Sequence, residues 1–395
     1  MKRRDLLKLI AASPLALAPL GLFAAPGTGA RLLVVFLRGG YDATNILVPV
    51  SSSFYYEARP NIALPKPGAA LNAAVALDAD WGLHPALRQS MLPLYEKGQL
   101  AFVPFAGTAD LSRSHFATQD TIELGQDHDR ARNYQSGFLN RLATVLAGRP
   151  ASMAFSDRLP TVFRGELQIP NMGLRQLRKP AIDTQQTAAI ADMYRGTALA
   201  GPVNEGFSVR DGLMQALSAE MEAASRNAIT TRGFELEARR IARLMRDKFN
   251  VGFVDVGGWD THVGQGGAEG YLANRLEELG RGLAAYADEM GAAWQDTVVV
   301  VLSEFGRTFR ENGNRGTDHG HGTVYWVAGG SVRGGRIVGE QVPVRQATLN
   351  QNRDYAVLNE YRQVFSALFA RMYGLNASQL ERVFAGTKPK ELGLL

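Results

Sequence analysis

Residues 297–308 read T-V-V-V-V-L-S-E-F-G-R-T. The first six are apolar and mostly β-branched, too short a run for an ordinary helix and well suited to a strand buried on both faces. A serine, a glutamate and an arginine follow at once. The same plan recurs at 32–37, 100–105, 251–256 and 323–328, all short apolar runs bounded by Gly, Pro or Asp, and buried strands are predicted for all five. Helical periodicity marks residues 84–95, 115–124, 209–228, 232–249, 270–290 and 358–373. Strands alternating with helices predict an α/β fold: a largely parallel central sheet flanked by helices on both faces. Residues 31–395 read as one such domain. Two stretches, near 51–80 and 151–202, read as insertions into it.

Polar residues gather where the strands end. R-G-G-Y-D follows the first run at 38–42, S-R-S-H-F follows the second at 112–116, and G-G-W-D-T-H occupies 257–262. S-E-F-G-R-T follows at 303–308, and T-D-H-G-H-G at 317–322 leads into the last run. In a parallel sheet such positions share the carboxyl edge, where ligands of open α/β folds bind. Four of the six histidines, His115, His262, His319 and His321, fall in these clusters. Carboxylates mixed with imidazoles, in a chain with no cysteine, suit a divalent metal such as Zn, Mn, Fe or Ca and exclude thiolate sites and disulfides. Taken singly, each aspartate also reads as a turn or cap residue. Asp260 and His262 are two apart, so an extended loop turns both the same way. His319 and His321 repeat that spacing beside Asp318.

Ser114 precedes a predicted helix, where it serves equally as an N-cap or as a nucleophile near the helix N-terminus. Ser112 is its rival. Arg38, Arg113 and Arg307 have forked guanidinium groups suited to gripping an oxyanion, or to plain salt bridges. His84, before a proline, and His128, in a charged run, read as structural or solvated.

The chain has 395 residues and a formal charge of +5, with Lys2, Arg3, Arg4 and Lys8 crowded at the start. No basic stripe with interleaved aromatics is present, so nucleic acid is not an expected partner. Residues 1–25 combine this basic start with an uncharged run containing Pro14 and Pro19. That is the plan of a cleaved secretory signal, and Arg3-Arg4 resembles the pair read by the twin-arginine export machinery. A single membrane anchor is the competing reading, which the two prolines disfavour. A periplasmic or secreted protein with no stable membrane span after cleavage is expected.

L-R-G-G-Y-D-A-T-N, S-R-S-H-F, G-W-D-T-H, L-S-E-F-G-R-T and T-D-H-G-H-G, in this order, resemble the bacterial family known as domain of unknown function 1501. That family is grouped with the alkaline phosphatase and sulfatase superfamily. The resemblance implies an alkaline-phosphatase-like fold, one or two divalent metal ions and a hydroxyl nucleophile at the sheet's carboxyl edge. It implies Asp42, Asp260, His262, Glu304, and His319 or His321 as metal ligands, with Ser114 as nucleophile. Phe305 stands where a histidine would be. Asp260 and His262 are closer together than the superfamily's corresponding pair. The sulfatase signature is missing around Ser112 and Ser114, so no formylglycine is expected. The function this implies is exported, metal-dependent hydrolysis of a small anionic ester, phosphate or sulfate. The alternative is a metal- or partner-binding protein that retains the fold without the chemistry.

Overall fold

The computed structural model describes residues 29–129, 131–147, 151–174, 184–208 and 233–395. The signal segment at 1–25 and the helix expected at 209–228 lie outside the described residues.

The central sheet contains β1 (Arg31–Leu37), β2 (Leu100–Gly107), β3 (Ser152–Ala154), β4 (Val251–Val256), β5 (Thr297–Ser303) and β6 (Thr323–Ala328), with short β7 (Arg336–Ile337) and β8 (Asn359–Glu360). Their order is β7-β2-β6-β5-β1-β4-β3, and β8 also pairs with β2. β1 lies between β4 and β5 and is parallel to both, with Leu37 opposite Val256 on one side and Ser303 on the other. β3 is parallel to β4, while β7 and β8 are parallel to β2. Among the described strands of this sheet, β6 alone runs reversed, antiparallel to β2 and β5.

Alternate residues of β1 enter two cores. Leu33, Val35 and Leu37 join Ile241 and Met245 of α3 (Phe234–Asp247) and Leu276, Leu279 and Leu283 of α4 (Tyr271–Met290). Leu32, Val34 and Phe36 join Leu139 and Leu142 of α2 (Phe138–Val145) and Phe365 and Phe369 of α5 (Tyr361–Tyr373). Helices therefore cover both faces, as the alternating pattern predicts. Burying one such side chain contributes about 1.5–3 kcal/mol. Every residue of β5 is buried. With both faces apolar, hydrophobic alternation does not set its register.

Two regions differ from expectation. Residues 84–95 form a 3₁₀ turn at Pro85–Leu87 and a short helix at Leu92–Glu96 rather than one helix. Proline 93 lacks an N–H and its ring collides with the preceding turn, so a helix starts there but does not run through. The stretch at 151–202 supplies framework at its start, since Ser152–Ala154 is the edge strand. Residues 51–80 carry a short helix, Ser53–Ala58, and Val75–Ala76, a strand of a small antiparallel sheet with Leu47–Val48 and Gly82–Leu83. Among the described residues no helix is long and apolar enough to cross a membrane.

Candidate metal centre

The register of β1 against its neighbours brings Gly39, Asp260 and Glu304 to one edge. The turn after β1 must be glycine: a Cβ on Gly40, at φ +61°, would stand 2.4 Å from the Phe305 ring, and one on Gly39 would stand 2.6 Å from the Asp260 nitrogen. Because β6 runs reversed, the residues before it lie at the same edge as those after β1, β4 and β5. The loop after β5 pairs with this segment, bridging Arg307 to His319. α1 (His115–Leu124) starts beside it, capped by Ser114.

Three imidazoles and a carboxylate meet there. His319 Nε2 lies 3.0 Å from His115 Nε2 and 3.0 Å from His262 Nε2. Asp260 Oδ2 lies 3.5 Å from His115 Nε2, and its Oδ1 lies 3.0 Å from His262 Nε2 and 3.4 Å from His319 Nε2. The other nitrogen of each ring faces an acceptor. His115 Nδ1 donates to Glu304 at 2.7 Å, His262 Nδ1 to Asp318 at 3.1 Å, and His319 Nδ1 to the Arg113 carbonyl at 2.9 Å. The Arg113 carbonyl requires a proton on His319 Nδ1 and Glu304 favours one on His115 Nδ1, so that the Nε2 atoms of these two rings are bare; His262 has a carboxylate at each nitrogen, Asp260 at 3.0 Å and Asp318 at 3.1 Å. Bare nitrogens facing each other at 3.0 Å call for a cation between them. A zinc ion held tetrahedrally at about 2.0–2.1 Å sets its ligand atoms roughly 3.3 Å apart. The separations among His115, Asp260 and His319, 3.0, 3.5 and 3.4 Å, bracket that value, and carboxylate or carbonyl partners behind the imidazoles are the usual support of a metal site. His115, Asp260 and His319 offer ligand atoms all within 4.8 Å of one another. The residues present fit a divalent ion.

Electrostatics agree. Burial pushes the Glu304 pKa up, but hydrogen bonds from His115, Gln119 and Ser303 outweigh it and hold this fully buried carboxylate below the usual glutamate range. The Glu304 hydrogen bond in turn raises the His115 pKa against the opposing effect of burial. Burial also opposes the charge on Asp260, and the Arg307 guanidinium at 2.6 Å overcomes it, leaving the pKa low. For Asp318 the bonds from Asn312 and His262 do the same. Of these three carboxylates only Asp260 is bound by a guanidinium; the bonds to Glu304 and Asp318 come from imidazoles and neutral groups.

Asp260, His262 and His319 are thus brought together as expected, with Glu304 one bond behind. The other expected residues lie elsewhere. Asp42 is fully buried with both oxygens bound by Arg59, at 2.5 and 3.0 Å, and one also by Gln265 at 2.5 Å. His321 is buried, its pKa lowered to about 4 by desolvation and the Arg113 charge, and its ring is bonded to the Asp110 backbone. Its divergence from His319 has a local cause. Gly306 donates to His321 O and accepts from Gly320 N–H, so two residues oppose one and alternation breaks at this bulge. Arg307 does not present its fork to solvent: it is buried and tied to Asp260 and Thr317. Arg38 is held by Asp255, Glu123 and Gln119, and Arg113 by Asp354 and Gln351. Ser114 Oγ accepts from Ala117 N–H at 3.4 Å, the cap reading, which leaves its proton free to be donated. Ser112 Oγ lies 3.3 Å from Thr118 Oγ1. Phe305, in the histidine's expected place, packs its ring 4.8 Å from His115 and 5.1 Å from His319, forming an apolar wall. His84 is buried with both ring nitrogens bonded, and His128 is flanked by Asp127 and Asp129.

The sequence reading groups His115 with the polar clusters without giving it a ligand role. Its signal is its place directly after Ser114 at the start of a helix.

A family model described as "Protein of unknown function (DUF1501)" matches residues 29–384. Among solved structures, the chain is similar to a protein in the alkaline phosphatase superfamily from Vibrio parahaemolyticus, with 11% identity over 94% of this chain and 76% of that one and a TM-score of 0.38. It is also similar to the C-terminal periplasmic domain of EcEptC from Escherichia coli in complex with Zn (9%, 77% and 74%, TM-score 0.37). A third is the phosphonate monoester hydrolase of Agrobacterium radiobacter (14%, 87% and 73%, TM-score 0.31). No residue role follows from likenesses this distant. No curated protein matches the sequence.

Proposed function

The chain belongs to the DUF1501 family, and from that premise we propose that it is an exported, divalent-metal-dependent hydrolase of phosphate or sulfate esters with Ser114 as nucleophile. The observation that carries this reading is the set of bare imidazole nitrogens facing one another beside Asp260, next to a serine at a helix start. His115, Asp260 and His319 would hold the ion, with His262 at its flank. A bound ion would polarise the ester oxygen and lower the pKa of a nearby hydroxyl. Glu304 and the Arg113 carbonyl keep His115 and His319 in the ligating tautomer. Arg307 holds Asp260 in place and, being spent on it, does not bind substrate.

In the first step Ser114 Oγ forms a bond to the ester phosphorus or sulfur as the bond to the alcohol oxygen breaks. The hydroxyl proton passes to solvent and the departing alkoxide takes one up. Water then cleaves the serine ester, restoring the hydroxyl and releasing the inorganic anion. Backbone N–H groups at the start of α1 favour the negative charge that builds there. Phe116 and Val263, strongly exposed next to His115 and His262, offer apolar surface to the organic part of the ester.

Elemental analysis of the mature protein and a turnover screen with aryl phosphate and aryl sulfate test the reading. Ser114→Ala is expected to abolish turnover, leave metal content unchanged and cost about 1 kcal/mol of stability as a lost cap. If Ser112→Ala loses the rate instead, the nucleophile moves by two residues. Absence of metal from gently purified protein, or no hydrolysis of either ester, sinks the proposal and leaves the binding-protein alternative.

A further inference from the structure

We infer that Gln119 is a positioning residue that sets Glu304, and through it His115, for a metal ion; this rests on the metal reading above. Gln119 lies four residues after His115 on α1, so the two side chains share one face of the helix. Its amide is oriented at both ends. The oxygen accepts from Arg38 Nη1 at 2.9 Å, and the nitrogen donates to Glu304 Oε1 at 2.7 Å. Flipping the amide would turn its NH2 toward a guanidinium and its oxygen toward a carboxylate, losing both bonds at once. Arg38 is itself fixed, by Asp255 at 2.7 Å and Glu123 at 2.9 Å.

Glu304 needs such a hold. It is fully buried, no guanidinium or ammonium among the described residues binds it directly, and its Oε1 shares three donors: Gly39 N–H at 2.9 Å, His115 Nδ1 at 2.7 Å and the Gln119 amide. Its Oε2 accepts from Ser303 Oγ at 2.7 Å. Gly39 and Ser303 anchor it from the strand ends, while Gln119 is the donor on the same helix as the histidine it must meet. Removing that donor leaves Oε1 held by Gly39 and His115 alone, lets the carboxylate shift about its last torsion and loosens the bond that keeps His115 Nε2 bare. Arg38, which the sequence suggests as a substrate grip, acts through this amide instead.

The test uses the full mature chain, with zinc as the probe in a chelator competition and ¹⁵N-histidine NMR of the metal-free protein at alkaline pH. Gln119→Leu and Gln119→Met are expected to weaken zinc binding about 10- to 100-fold, the usual range for a partner behind a ligand. Arg38→Met should weaken it less. In the wild type, neutral His115 should carry its proton on Nδ1; in the Gln119 variants a mixture of tautomers should appear. A residue that only supported the fold would lower the melting temperature without moving the tautomer. Zinc affinity within twofold of wild type in both Gln119 variants, with His115→Ala clearly weakened, overturns the inference while sparing the metal reading. Unchanged affinity in His115→Ala overturns the metal reading itself. If neither Gln119 variant folds, the wild-type spectrum decides, and a proton on Nε2 of neutral His115 overturns the inference.

Discussion

Asp42 and Glu304 both follow buried strands of the central sheet, and both are fully buried carboxylates, yet they have opposite surroundings. Asp42 is neutralised within the protein. All five donors of Arg59 are spent on Asp42, Asn45 and the carbonyls of Thr308 and Phe309, and Gln265 links this pair to Thr261 and Thr317. Glu304 reaches the His115 imidazole, the far side of which faces His319 and half-exposed Asp260, with His262 beyond His319. Two acids in similar sequence settings are thus one closed and one open. The closed group meets its charge with a guanidinium from the 51–80 excursion; the open group gathers imidazole and carboxylate groups that could hold an external cation. The histidines follow the same division. His84, near enough to Asp42 to feel its charge, has its pKa lowered to about 4, chiefly by burial.

The sharpest way to break this comparison is to open the closed group. Arg59→Met leaves the Asp42 charge buried without its partner, and should cost about 3–5 kcal/mol in chemical denaturation while the metal content of the folded fraction stays as in wild type. A small loss, or a loss of metal, would join the two regions into one site.

His84 gives the next largest effect. Its folded pKa of about 4 lies below the unfolded value near 6.5, so the unfolded chain takes up a proton that the native state refuses. Above about pH 6.5 the group contributes no pH dependence; as pH falls toward 4, stability declines, by about 3 kcal/mol in all. Denaturation midpoints across that range should fall more steeply in the wild type than in His84→Gln, where His321, with its pKa also lowered to about 4, still contributes. Equal slopes would mean that His84 is not held neutral.

The smallest expected effect on stability marks the open group. His262 is 41% exposed, so His262→Ala should change unfolding free energy by less than about 0.5 kcal/mol, yet lower the metal content measured by elemental analysis. A large loss of stability would make the edge cluster a structural element like the Asp42 group.

Much of this was legible in the residues. The apolar runs become β1, β2, β4, β5 and β6, and the clusters after them meet at one edge because parallel strands carry their ends together. The Asp260–His262 spacing delivers both side chains to the site. The His319–His321 spacing does not, because a bulge in the pairing with Gly306 depends on backbone bonds that no side-chain pattern records. Asp42 misled for a related reason: its partner Arg59 lies 17 residues away in a stretch without periodicity. His115 was legible as a polar residue at a helix start, whereas its alignment with His319 depends on how α1 approaches the edge.

What the sequence determined by itself is the alternation of buried strands and helices and the list of groups able to bind a cation, since both follow from local periodicity and side-chain chemistry. Which of those groups face each other, and which are neutralised inside the protein, only the tertiary structure decided. Strands apolar on both faces do not fix their own register, and the fate of a buried charge depends on which partner the fold carries within about 3 Å of it.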